Sequence, residues 1–112
     1  MKETIETKIL RQEKINWRNA EWLQPDNFKE ISDDSFQKLK TSIVQNGFIQ
    51  PFNVWESNGK LNILDGHHRK KAMEELSLEG FVIPTMLDAN FIDCKDRKEA
   101  VKFVLLYSSY LS

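Results

Sequence analysis

A chain of 112 residues with a formal net charge of -1 fits one small domain and exerts no long-range pull on a polyanion. Hydrophobic residues make up 40% and aromatics 11%, with seven Phe and three Trp, which excludes disorder over most of the length. Cys94 is the only cysteine, so an intrachain disulfide and a paired-cysteine zinc site are excluded, and a free thiol fits a reducing compartment. Residues 1–14, "MKETIETKILRQEK", lack the apolar stretch of a secretory signal and read as a flexible arm or a short helix. A single domain is expected over 15–112. Ile15 and Trp17 alternate like a short strand, Pro25-Asp26-Asn27 marks a turn, and Trp17 and Trp22 are expected to cover the edge of the core.

The first clear helix is predicted over 33–46. Ser32 or Asp33 can cap it, Phe36, Leu39 and Ile43 form its buried face, and Lys38, Lys40 and Gln45 face water. Asn46-Gly47 stops it, and Phe48 and Ile49 are expected to dock beyond the cap. Strands follow over 52–57 and 60–64, joined by a tight turn at Ser57-Asn58-Gly59. Phe52 and Val54 share one face and Leu61 and Ile63 another, while Trp55 is either exposed or covered by a second layer. A second helix runs from near Gly66 to about Ser77, with Ala72, Met73 and Leu76 as core. "FVIPTML" and "NFIDC" read as two further strands, the first interrupted at Pro84. The last helix is predicted over 96–110, with Ala100, Phe103, Val104 and Tyr107 on one face, widened by Val101 and Leu105. The abrupt end at "LLYSSYLS" suggests a domain cut from a longer protein, and no segment is long and apolar enough for a membrane span. The order of helices and strands is that of a small α+β domain, expected in the cytoplasm.

The chemistry concentrates in "DGHHRKKA", Asp65 to Ala72, where a strand gives way to a helix. The first turn of a helix carries unpaired N–H groups and a partial positive charge, so it receives anions. Gly66 permits a tight turn, Arg69 supplies a planar fork for phosphate oxygens, and Lys70 and Lys71 add charge. His67 and His68 are the only histidines and can donate hydrogen bonds. Gly66, His67, His68, Arg69 and Lys70 are therefore the candidate phosphate cradle. Adjacent histidines diverge around a helix, so no metal site is predicted, and no catalytic base is identified. A purely structural reading stands beside the cradle: Asp65 caps the helix, Gly66 makes the bend, Arg69 pairs with Glu56 or Asp88, and the histidines are solvated.

The stretch "LKTSIVQNGFIQPFNVWESNGKLNILDGHHRKKAMEEL" resembles the amino-terminal domain of the ParB family of partition proteins, grouped with sulfiredoxin in one superfamily. The matching residues are Gly47, Gln50, Pro51, the hairpin 52–64, Gly66 and Arg69, with a looser likeness over about 15–107. The resemblance implies a ParB/sulfiredoxin-like α+β fold with a short mixed sheet and about three helices. It also implies that Gln50, Pro51 and Asp65 wall the pocket. Partition proteins usually place Glu-Arg-Arg after the Gly. Here His67 replaces the acidic residue, His68 replaces the first arginine, and Arg69 is retained. Sulfiredoxin places its catalytic cysteine where this chain has His67.

The form of the motif looks closest to ParB-like domains associated with phage or mobile-element DNA methyltransferases. The leading expectation is a DNA-associated accessory domain that binds a nucleotide or DNA phosphate at the turn Gly66–Arg69, without catalysis by itself. The residues alone fix no cofactor, and the resemblance implies a ribonucleoside triphosphate with magnesium. The expected partners are DNA and a DNA methyltransferase or other fused domain. Two alternatives stay open: a metal-dependent nucleotide hydrolase or nuclease, and an interaction module, bound through Trp55 or the final helix, that regulates a DNA methyltransferase.

Overall fold

A computed structural model describes residues 3–23 and 31–108, side chains excepted at 107 and 108. The elements are β1 (Ile9–Asn16), β2 (Glu21–Trp22), α1 (Asp33–Asn46), β3 (Phe52–Ser57), β4 (Lys60–Asp65), α2 (His67–Leu78), β5 (Met86–Ile92) and α3 (Arg97–Phe103). The five strands form one mixed sheet in the order β1-β5-β3-β4-β2. β1 runs antiparallel to β5, β3 antiparallel to β4, and β3 and β2 run parallel to β5 and β4. This is the small α+β domain with a mixed sheet and three helices that the sequence implied.

The sheet carries a core on each face. One core gathers Ile15, Trp17, Phe52, Val54, Ile63, Met73, Leu87 and Phe91, with Ile43, Phe48 and Leu61 packed against it. The other gathers Leu23, Leu64, Ile92, Ala100 and Val104, backed by Trp55, Cys94 and Phe103. Strand alternation sends neighbouring side chains to opposite layers, so Val54 and Trp55 serve different cores. Trp55 is anchored in the second by its Nε1, which donates to the Cys94 carbonyl at 3.0 Å.

Helix α1 has the predicted bounds. The Ser32 hydroxyl accepts from the Ser35 amide at 3.2 Å, and Gly47 ends the helix at φ 79°. The hairpin turn is also as read: Asn58 at φ 52° and Gly59 at φ 76° give the left-handed pair that matches strand twist.

Several expectations are corrected. The segment read as an arm or short helix supplies β1 from Ile9 onward, because its backbone pairs with β5 along almost its whole length. Trp17 is not an edge residue; it is fully buried, and its Nε1 donates to the Pro84 carbonyl at 2.8 Å. Leu61 and Ile63 share the face of Phe52 and Val54, since Val54 pairs with Ile63 and Glu56 with Leu61, and paired residues point the same way. "FVIPTML" and "NFIDC" yield a single strand that begins at Met86, after Pro84.

Lys40 does not face water. Its side chain is 10% exposed, and its amine bonds Glu79 and lies 3.5 Å from Glu75, tying α1 to α2. Phe48 docks as expected, but Ile49 is 73% exposed. The last helix is α-helical only over Arg97–Phe103 and widens into a π-helical turn over Val104–Ser108. The predicted turn at Pro25-Asp26-Asn27, the end of the last helix at 109–110 and the side chain of Tyr107 lie outside the described residues.

Candidate functional site: the turn from β4 to α2

The pairing of β3 with β4 shifts between Asn53 and Val54. Val54 sits opposite Ile63, yet Asn53 sits opposite Asp65. Leu64 is the extra residue, and such a bulge re-aims the side chains beside it. The chain then turns at Gly66, the N-cap of α2, with φ 108° and no side-chain cap. The structural reading of Asp65 as a helix cap is therefore overturned. Its carboxylate accepts from Asn53 Nδ2 at 3.3 Å, and the same oxygen lies 3.9 Å from Arg69 Nη2.

Gly66 is required by space as well as by backbone angle. A Cβ there would lie 2.6 Å from Arg69 Nη2 and 2.7 Å from Phe52 Cδ1. Arg69 folds back over the turn, its guanidinium 5.4 Å from the Phe52 ring centroid and 5.8 Å from that of Phe48. Its Nη1 donates to the Gln50 carbonyl. Burial pulls its pKa below the ordinary value and Asp65 pulls it back, while a guanidinium stays charged in either case. The proposed partners Glu56 and Asp88 are engaged elsewhere, with Arg11 and Lys14, each at 3.1 Å.

Both histidines are buried, His67 at 9% and His68 at 6% exposure. The His67 ring stacks on Trp22, with centroids 3.5 Å apart and planes 2° from parallel, and the His68 ring tilts against that of His67 with centroids 3.8 Å apart. The short parallel pairing of β2 with β4 places Trp22 there. Burial, then His68 and Lys71, lower the His67 pKa to about 3. His67 is thus a neutral ring near neutral pH, and Arg69, Lys70 and Lys71 carry positive charge at this turn. Lys70 Nζ donates to the Ala20 carbonyl at 2.5 Å, and Lys71 Nζ lies 5.6 Å from the Phe36 ring centroid.

The structure therefore gathers Gly66, His67, His68, Arg69, Asp65 and the Gln50 carbonyl at one turn. Pro51 instead lines a cleft of about 380 Å³ with Gln12, Lys14, Asp88 and Asn90. Sequence reasoning missed Trp22 as the stacking partner and Asn53 as the partner of Asp65. The only available signals were an aromatic and an amide, both common elsewhere in the chain. Among the described residues no three His, Cys, Asp or Glu side chains gather as a metal site. Cys94 packs in the core on the α3 side, and burial pushes its thiol pKa up. Among the described residues no helix is long and apolar enough to cross a membrane.

A mixed sheet with a strand–glycine–helix turn carrying a tucked arginine defines a class of small α+β domain. The model of the ParB N-terminal domain matches residues 3–101, and the chain belongs to that family. Solved structures share the fold. The C-terminally truncated chromosome-partitioning protein ParB from Caulobacter crescentus, complexed with CTP-gamma-S, aligns with TM-score 0.67 at 16% identity, over 91% of this chain and 54% of that one. Sulfiredoxin from Arabidopsis thaliana aligns with TM-score 0.59 at 20% identity, over 85% of this chain and 97% of its own. C-terminally truncated SbnI from Staphylococcus aureus aligns with TM-score 0.52 at 18% identity, over 73% and 30%. The chain thus spans about half of that ParB and under a third of that SbnI. No curated protein matches it by sequence.

Proposed function

We propose that this domain binds a phosphate-bearing ligand, a nucleoside triphosphate or a DNA backbone, at the turn Gly66–Arg69, as an accessory module without catalysis of its own. The observation that carries this reading is the opening of α2: a left-handed glycine with no side-chain cap, and an arginine held over the same turn. Helix N-termini of this kind favour anions, and Arg69 adds a fork suited to phosphate oxygens. The family and the nucleotide complex of the Caulobacter ParB support a nucleotide first. His67 would act as a neutral hydrogen-bonding wall stacked on Trp22. Lys70 and Lys71 would add salt-sensitive attraction for a polyanion. Magnesium, where the ligand brings it, would be held by the triphosphate, since Asp65 is already engaged with Asn53 and Arg69.

The test is a titration with the four ribonucleoside triphosphates and with short duplex DNA, with and without magnesium, on wild type and Arg69→Ala. Saturable binding weakened in the variant supports the reading. A folded wild type that binds none of them sinks it.

A second reading, an interaction module for a DNA methyltransferase or another fused domain, has one observation in its favour. An apolar groove of about 420 Å³ between α1 and the segment before β5 is lined by Ile43, Phe48, Met73, Phe81, Val82 and Leu87, with Val82 97% exposed. Trp55, half-buried and bonded to Cys94, is a poorer contact than this groove or exposed Leu105 and Leu106. Co-purification that is lost on Val82→Asp would favour this reading.

A further inference from the structure

A row of side chains that begins three strands away ends on Asp65, beside Arg69. Gln12, Asn90, Asn53 and Asp65 occupy one register row across β1, β5, β3 and β4. Gln12 Nε2 donates to Asn90 Oδ1 at 2.7 Å, Asn90 Nδ2 to Asn53 Oδ1 at 3.1 Å, and Asn53 Nδ2 to Asp65 Oδ2 at 3.3 Å. The direction of this chain follows from its end. A carboxylate only accepts, so Asn53 must turn its NH2 toward Asp65. That leaves the Asn53 oxygen for Asn90, whose oxygen in turn receives Gln12. The row ends on the same Asp65 oxygen that faces Arg69 Nη2. The bulge at Leu64 is what brings Asp65 into the row.

We infer that Asn53 and Asn90 are positioning residues. They orient Asp65, and through it set where Arg69 sits over the turn. This rests on the phosphate-binding reading for its functional consequence, though the placement of Arg69 is a property of the protein alone. The row runs from exposed Gln12 through half-buried Asn90 and Asn53 to buried Asp65, and reversing an amide within it breaks more than one bond, because each amide depends on the next. Asn53→Asp keeps the shape and removes the donor, setting two carboxylates against each other. Exchanging the two groups in the double variant Asn53→Asp, Asp65→Asn restores a full set of donors and acceptors while moving the negative charge away from Arg69.

The experiment combines the NMR signals of the Arg69 guanidinium with nucleoside triphosphate titration. Folded Asn53→Asp is expected to shift and broaden the Arg69 signals and to weaken binding about tenfold. The double variant is expected to regain stability without regaining affinity. Packing alone predicts instead that Asn53→Asp is tolerated and that the double variant behaves as wild type. Asn90→Ala, one strand further from Asp65, serves if Asn53→Asp does not fold. Arg69 signals unchanged in a folded Asn53→Asp or Asn90→Ala overturn the inference. If wild type binds no nucleotide, the phosphate reading fails, and the Arg69 signals still decide the role of the row.

Discussion

Replacing Gly66 by Ala probes the turn most sharply. The residue sits at φ 108°, where a side chain is strained by about 1–3 kcal/mol. The added Cβ meets two groups. One is the tip of Arg69 at 2.6 Å, which can swing aside. The other is the Phe52 ring at 2.7 Å, which is fully buried and has nowhere to go, so overpacking adds about 1–3 kcal/mol. The combined destabilisation is about 2–6 kcal/mol, a large part of the about 5–15 kcal/mol that holds a small domain. It corresponds to a fall in Tm on the order of 10–20 °C. Urea denaturation is the assay, with a lower midpoint at unchanged slope expected. A Gly66→Ala variant within about 0.5 kcal/mol of wild type would refute both the strain and the clash.

Other outcomes follow from the same structure. His67 carries a pKa of about 3 in the fold against about 6.5 unfolded, so the unfolded chain binds the proton more readily. The stability this group contributes is complete above about pH 6.5 and is lost as the pH falls through that window toward 3. His67→Phe, which preserves the stack on Trp22, should flatten the acid limb of a pH–stability curve, and an unchanged limb would contradict the burial of the ring. Trp17→Phe removes the pyrrole ring together with its bond to the Pro84 carbonyl and leaves a cavity at a fully buried position, and should cost about 2–4 kcal/mol in urea denaturation. Met73→Ala, at a fully buried core position, should cost about 2–5 kcal/mol by the same measurement. Arg69→Lys retains charge but loses the fork, so nucleotide affinity should fall almost as far as in Arg69→Ala; wild-type affinity would show that charge alone suffices.

Local pattern made part of this legible. The spacing of Phe36, Leu39 and Ile43, the Ser32 cap and Gly47 set α1. Asn58-Gly59 set the hairpin, and Gly66 the start of α2. What escaped depends on partners distant in sequence. β1 carries exposed charges and only one buried apolar residue, so little besides its pairing with β5 marks it as a strand. Lys40 reads as a surface lysine until Glu75 and Glu79 are brought against it from α2. The histidines looked like polar donors because the sequence does not reveal that β2 lies beside β4 and lays Trp22 flat on His67. Asn53 was invisible as a site residue for the same reason, since a one-residue bulge decides that it faces Asp65.

The most direct measurement of the central claim is the map of backbone amide shifts when a nucleoside triphosphate is added to the isotope-labelled domain. The largest changes are expected on residues 66–69 and on Gln50, and they vanish in Arg69→Ala. Changes confined to the apolar groove around Phe81 and Val82, or none at Gly66–Arg69 in a folded protein at millimolar nucleotide, would contradict that claim.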